Sequence, residues 1–244
     1  MTNTIVQALS GQTVIVLGGS AGIGFETARQ ARAAGANVIL TGRNPERLKR
    51  AALELQAEVT AAFDATDSAA LKAFFESLRT PVDQVMVTAG TPHYGPILGL
   101  STEEVKSALT RAPSLAVEVS RLAIGRVRAG GSLIFVSGTN RRPRPELGVV
   151  SMNAAAFPTL VGSLALELAP IRVNLIAAGF VDTDLSAALL GAKLDERREE
   201  LRSTLPIRRV VKASDVAALA VHLMANTALT GATYDIDGGQ QLLA

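Results

Sequence analysis

Four groups of residues in this chain have types and spacings that could do chemistry. The first is the turn Leu17-Gly18-Gly19-Ser20-Ala21-Gly22-Ile23-Gly24, set between an apolar, β-rich run and a helical one. Glycine at 18 permits a tight turn, glycine at 22 lets the backbone approach a ligand with no Cβ in the way, and glycine at 24 allows a helix to pack closely on a strand. The N–H groups opening the helix would then face an anion such as a pyrophosphate. The second group is Leu40-Thr41-Gly42-Arg43-Asn44. An acid at the end of this run would bind an adenosine 2′-hydroxyl and repel a 2′-phosphate. The position is Gly42, and Arg43 offers a fork of donors suited to phosphate, or else opens the next helix as a solvated charge. The third is Thr91-Pro92-His93-Tyr94-Gly95, where an imidazole and a phenol could move protons or merely line a pocket. The fourth, Asn140-Arg141-Arg142-Pro143-Arg144-Pro145, could grip a carboxylate or phosphate or carry solvated loop charges.

These groups need a scaffold, and the pattern supplies one. Short, nearly continuous apolar runs at 13–17, 37–40, 60–63, 84–87, 132–136, 172–176 and 233–236 read as strands covered on both faces. Helical stretches at 22–34, 45–57, 68–78, 102–128, 150–168 and 214–225 alternate with them. Such alternation predicts βαβ units: a single-domain, doubly wound α/β Rossmann fold over 1–244 with a seven-stranded parallel sheet. Residues 180–212 break the rhythm with a charge-rich helical insertion, expected to sit over the ligand crevice as a lid.

Composition narrows the field. With 24 Lys+Arg against 22 Asp+Glu, the net charge of +2 argues against a nucleic-acid surface. No cysteine is present, so disulfides and thiolate metal sites are excluded, and two histidines alone do not build a metal site. Residues 149–166 are uncharged and nearly long enough to span a membrane, but Asn153, Pro158, Gly162 and Ser163 favour a helix buried between subunits. The opening residues lack the regions of a signal peptide, so a cytoplasmic location is expected.

The chain resembles the short-chain dehydrogenase/reductase family along essentially its whole length. The family's Thr-Gly-x-x-x-Gly-x-Gly is matched by Gly18, Gly22 and Gly24, with Leu17 in place of the threonine, and its Asn-Ala-Gly by Thr88-Ala89-Gly90. Its aspartate after the third strand is similar to Asp64 in Phe63-Asp64-Ala65-Thr66-Asp67. Leu164-Ala165-Leu166-Glu167-Leu168-Ala169-Pro170, Ile171-Arg172-Val173-Asn174, Ala178-Gly179-Phe180-Val181-Asp182-Thr183, Thr230-Gly231 and Asp237-Gly238-Gly239 continue the likeness. The resemblance implies NADP(H) as cofactor. It implies contacts from Gly18, Ser20, Gly22, Ile23 and Gly24, from Arg43, Asp64 and Ala65, and from Ala89, Gly90 and Thr183.

The family's catalytic tyrosine and the lysine four residues on are missing from their expected places. Counting back from Leu164 puts them at Val150 and Ala154, and the supporting asparagine falls near Arg111 or Ala112. Only the serine remains, as Ser137. Neither tyrosine, Tyr94 nor Tyr234, has a lysine four residues later, so a shifted alignment restores nothing. The expectation is an atypical NADP(H)-dependent oxidoreductase acting on a carbonyl or alcohol, with Ser137, His93 and Tyr94 as catalytic candidates. The alternatives are a dinucleotide-binding sensor or partner subunit without hydride chemistry, and a lyase or isomerase on the same fold. A small-molecule substrate and a homodimer or homotetramer built on 102–128 and 150–168 are expected; a metal, nucleic acid or membrane is not.

Overall fold

The computed structural model describes residues 7–57, 59–79, 81–90, 92–139 and 145–243. Strands β1 (Thr13–Leu17), β2 (Asn37–Gly42), β3 (Val59–Ala62), β4 (Val82–Val87), β5 (Val127–Gly138) and β6 (Arg172–Ala178) alternate with helices α1 (Gly22–Ala33), α2 (Pro45–Leu55), α3 (Ser68–Ser77), α4 (Thr102–Ala123) and α5 (Gly148–Glu167). Beyond β6 come β7 (Val181–Asp182), α6 (Asp184–Leu190), α7 (Leu194–Thr204), β8 (Val211–Lys212), α8 (Ala213–Ala225) and β9 (Thr233–Ile236). The main sheet has the order β3-β2-β1-β4-β5-β6-β9, and every pairing in it is parallel. The order reverses between β1 and β4, where connections leave toward opposite edges and open a crevice at the C-terminal ends of the strands.

Strand alternation divides the core into two. Ile15 and Leu17 point into a layer shared with Leu71, Phe74 and Phe75 of α3, Leu115 and Val119 of α4, and Phe157 and Val161 of α5. Val14 and Val16 point the other way, against Ala28 and Ala31 of α1, Leu48 of α2, and Val216 and Leu223 of α8. Burying each large aliphatic side chain is worth about 1.5–3 kcal/mol, which is why the strands read as unbroken apolar runs.

The helix expected over 102–128 stops at Ala123. Gly125 adopts φ +74, a left-handed turn that ends the helix, and β5 begins at Val127, five residues before the expected start. α4 and α5 continue through Pro113 and Pro158. α5 is the one helix among the described residues long and apolar enough to cross a membrane, and Val150, Ala154, Phe157, Val161 and Leu164 on one side of it are buried.

At the opposite end of the sheet from the crevice, Arg172 opens β6 almost completely buried, with no carboxylate partner among the described residues. Its guanidinium donates to the carbonyls of Gly130, Leu223, Met224, Asn226 and Leu229 at 2.7–3.2 Å. Leu223, Met224 and the C-cap residue Asn226 close α8, so the cation caps that helix and complements its dipole.

Residues 180–212 form α6 and α7, closed at their base by β7 and β8, which pair in parallel as Val181 with Val211 and Asp182 with Lys212. Leu201, Leu205 and Val210 make a small core of their own, with Phe180 and Leu243 against it. Arg198 of α7 grips Asp182 of β7 bidentately, Nε to Oδ2 at 3.0 Å and Nη2 to Oδ1 at 2.8 Å.

Candidate functional site

The glycine turn lies at the crevice because β1 ends at Leu17 and α1 starts at Gly22. Gly18 has φ +94, and a Cβ on it would stand 2.7 Å from Thr88 Oγ1 and 2.9 Å from the backbone nitrogen of Ala89. A Cβ on Gly24 would collide with the carbonyl oxygen of Gly18 and reach 2.5 Å from Thr88 Oγ1. Thr88, at the end of β4, donates its hydroxyl to the carbonyls of Leu17 (3.1 Å) and Gly18 (3.2 Å). It ties the fourth strand to the turn, a role that lay in the sequence motif Thr88-Ala89-Gly90 but was not assigned to that residue.

The first turn of α1 is left open toward the crevice. Its N-cap is Ala21, which has no side-chain acceptor, and no acidic residue occupies the first turn. The N–H groups of Gly22, Ile23 and Gly24 therefore retain no intrahelical partner, and the positive end of the helix dipole is uncompensated. That donor set fits the pyrophosphate of a dinucleotide. Thr183, the N-cap of α6, stands across from it: a Cβ on Gly22 would lie 3.6 Å from the Thr183 methyl. The base of the 180–212 segment is thus adjacent to the turn.

The adenosine end is framed by β2 and β3. A Cβ on Gly42 would lie 2.8 Å from Ser20 Oγ, so the turn's serine occupies the space an acidic side chain would need. Arg43 is exposed beside it. Phe63 N–H donates to Gly42 O (3.1 Å), which brings Asp64 and the buried Ala65 alongside. Asp64 accepts from Thr66 N–H (2.9 Å) and from the Thr66 hydroxyl (2.8 Å). These two bonds hold its carboxyl below the usual range, and the guanidiniums of Arg43 and Arg111 add to the effect. A carboxylate that stays ionised can accept from an adenine amino group.

Toward the middle of the crevice, Ser137 sits half-buried near the end of β5, paired with Ala177 of β6. Ala89 is half-buried and Gly90 exposed at the end of β4, with open space where a Cβ on Gly90 would point. Val150 and Ala154 are both buried in α5, one turn apart on one face. His93 and Tyr94 are exposed on the loop after β4, and no hydrogen bond joins either to Ser137 among the described residues. Desolvation raises the Tyr94 phenol above its ordinary value, so it is neutral and able to donate at physiological pH. The Glu104 carboxyl is held low by the Ser101 N–H and hydroxyl, with a smaller contribution from His93. Arg141, Arg142 and Arg144 lie outside the described residues, as does Thr91. Among the described residues no cluster of His, Asp and Glu could hold a metal.

Comparison with known proteins agrees with this geometry. A family model described as enoyl-(acyl carrier protein) reductase matches residues 18–241. Dehydrogenase/reductase SDR family member 4 from Sus scrofa is 31% identical over 247 residues, covering 95% of this chain and 88% of that protein. Two solved structures are similar over 95% of this chain, each at 27% identity: a small-chain dehydrogenase in complex with NADPH (TM-score 0.80, 99% of that chain) and BdcA in complex with NADPH (TM-score 0.83, 95% of that chain). Sheet order, glycine turn and these likenesses agree along almost the whole length, and the chain belongs to the short-chain dehydrogenase/reductase family.

Proposed function

We propose that this protein is an NADP(H)-dependent reductase acting on a carbonyl/alcohol pair with acid–base equipment different from the family's tyrosine and lysine. The observation that carries the reading is the α1 N-terminus, uncapped and free of acid, with Gly42 where an NAD-preferring site would hold a carboxylate and Arg43 next to it. The N–H groups of Gly22, Ile23 and Gly24 hold the pyrophosphate, Arg43 the 2′-phosphate, and Asp64 and Ala65 flank the adenine. Thr183 and the end of β4, Ala89 and Gly90, adjoin the remainder. When bound, the nicotinamide supplies or accepts hydride.

Ser137 donates its hydroxyl to the substrate carbonyl oxygen, and Tyr94, His93 or water delivers the proton that the oxygen needs. With Val150 and Ala154 aligned to the tyrosine and lysine, α5 offers the nicotinamide ribose no cation. General acid–base assistance is worth about 10²–10⁴ in rate, so turnover of simple ketones is expected to be slow even where NADPH binds well. The 180–212 segment acts as the lid, and the substrate is a small molecule. The test is NADPH oxidation with a ketone panel, repeated for Ser137→Ala, His93→Ala and Tyr94→Phe. Activity should fall with Ser137→Ala and with one of the other two. Brisk reduction indifferent to all three would refute the assignment of roles.

The apolar pair Val150/Ala154 favours one second reading, a dinucleotide-binding protein without hydride chemistry. Tight NADPH binding with no turnover across the panel would select it. Product formed without cofactor turnover would indicate a lyase or isomerase instead.

A further inference from the structure

Arg111 lies where the family's asparagine is expected, near Arg111 or Ala112 of α4, and two observations bring it to the adenosine end of the site. Ser68, which opens α3, donates its hydroxyl to Glu118 of α4 at 2.9 Å, so that face of α4 looks onto the N-terminus of α3. Arg111 lies two turns earlier on the same face, about 10 Å further toward the start of α4. The segment just ahead of α3 is the turn Asp64-Ala65-Thr66-Asp67. The electrostatics agree with that placement, since the fields of Arg111 and Arg43 both act on the Asp64 carboxylate.

Arg43 lies at the end of β2, next to the contact between Gly42 and Phe63. The fields of two guanidiniums contributed by different elements, the end of β2 and α4, therefore act on one carboxylate. Arg111 is exposed, and its guanidinium donates to Ser107 Oγ at 3.0 Å, an uncharged partner. The rim keeps an uncompensated positive charge, which favours a dianionic ligand over a neutral one.

We propose that Arg111 is a second cation for the 2′-phosphate of the cofactor, so that discrimination between NADP(H) and NAD(H) is shared between α4 and β2. The inference rests on the cofactor reading above and extends it to a residue of α4. The 2′-phosphate is the one group that separates the two cofactors, so a charge acting on it changes the affinity for NADPH and leaves that for NADH. A unit charge acting across several ångströms of partly solvated space alters affinity by about tenfold.

The experiment is calorimetric titration of the full chain with NADPH, with NADH and with adenosine 2′,5′-bisphosphate, for the parent, Arg111→Gln, Arg111→Lys and Arg43→Gln. Arg111→Gln should weaken NADPH and the bisphosphate by about tenfold and NADH by less than about twofold, while Arg111→Lys should retain most of the parent's preference. Equal losses for NADPH and NADH would make Arg111 an adenine contact and overturn the proposal, as would no loss for either. A parent protein that shows no preference for NADPH overturns the cofactor reading, and this proposal with it. A parent that prefers NADPH through Arg43 but is indifferent to Arg111 overturns this proposal alone.

Discussion

Replacing Gly24 with alanine tests whether the close approach of α1 to β1 is what presents the helix N-terminus to a ligand. The added methyl group would collide with Gly18 O, stand 2.5 Å from Thr88 Oγ1 and lie 2.9 Å from the Gly18 carbonyl carbon. The threonine can rotate, at the cost of its bonds to Leu17 O and Gly18 O, but the Gly18 peptide is backbone and cannot swing aside. Reaching ordinary contact, about 3.4 Å or more, requires α1 to retreat by roughly one ångström. Overpacking of this kind typically costs about 1–3 kcal/mol of stability. The same displacement carries the N–H groups of Gly22, Ile23 and Gly24 away from a bound pyrophosphate. Loss of one or two charge-assisted hydrogen bonds, at about 1.5–3 kcal/mol each, weakens NADPH binding by at least about tenfold. Differential scanning fluorimetry and calorimetry on Gly24→Ala and on the parent measure the two effects separately. A variant that melts with the parent and binds NADPH within about twofold of it would refute the reasoning.

Three further outcomes follow from other parts of the molecule. Arg172→Met keeps the apolar stem but takes a charged donor from five carbonyls, and urea unfolding should show a loss of about 3–5 kcal/mol; a loss below about 1 kcal/mol would mean that water or the remaining donors satisfy those carbonyls. The Asp215 carboxyl is held low chiefly by its hydrogen bond from Arg209, so its folded-state pKa lies below the unfolded one. Its contribution is therefore fully present above the ordinary aspartate range and is lost as pH falls through the folded value, so the stability gap between parent and Asp215→Asn should be constant near neutrality and close in acid. Self-association through α4 and α5 is expected, because Met152 and Leu166 leave apolar surface on α5; light scattering at micromolar concentration should give a dimer or tetramer, and Met152→Glu with Leu166→Glu should shift it toward monomer, whereas a monomeric parent would contradict the expectation.

Much of the architecture was legible in the chain because it is written in local pattern. The run 13–17 is apolar on both faces and matches β1, since a strand covered on both sides leaves no polar alternation, and 172–176 matches most of β6 although Arg172 and Asn174 interrupt one face. The turn from Gly18 to Gly24 was equally legible, because positive φ and close packing restrict residue type at each glycine. The absence of an acid at Gly42 was visible too, but not the reason: Ser20, from a different element, fills that space. The limits of α4 and β5 differ from the pattern because Arg126-Val127-Arg128-Ala129 suits a helix as well as a strand, and the left-handed Gly125 decides for the strand. What only the tertiary structure decided are the meetings of residues far apart in sequence. Thr88 closes on Gly18, Thr183 stands over Gly22, Arg172 caps α8, and the field of Arg111 reaches Asp64. Helical or strand periodicity reports which face of an element is buried; which distant side chain completes a charge or a hydrogen bond depends on how the elements stack, and no local window contains that information.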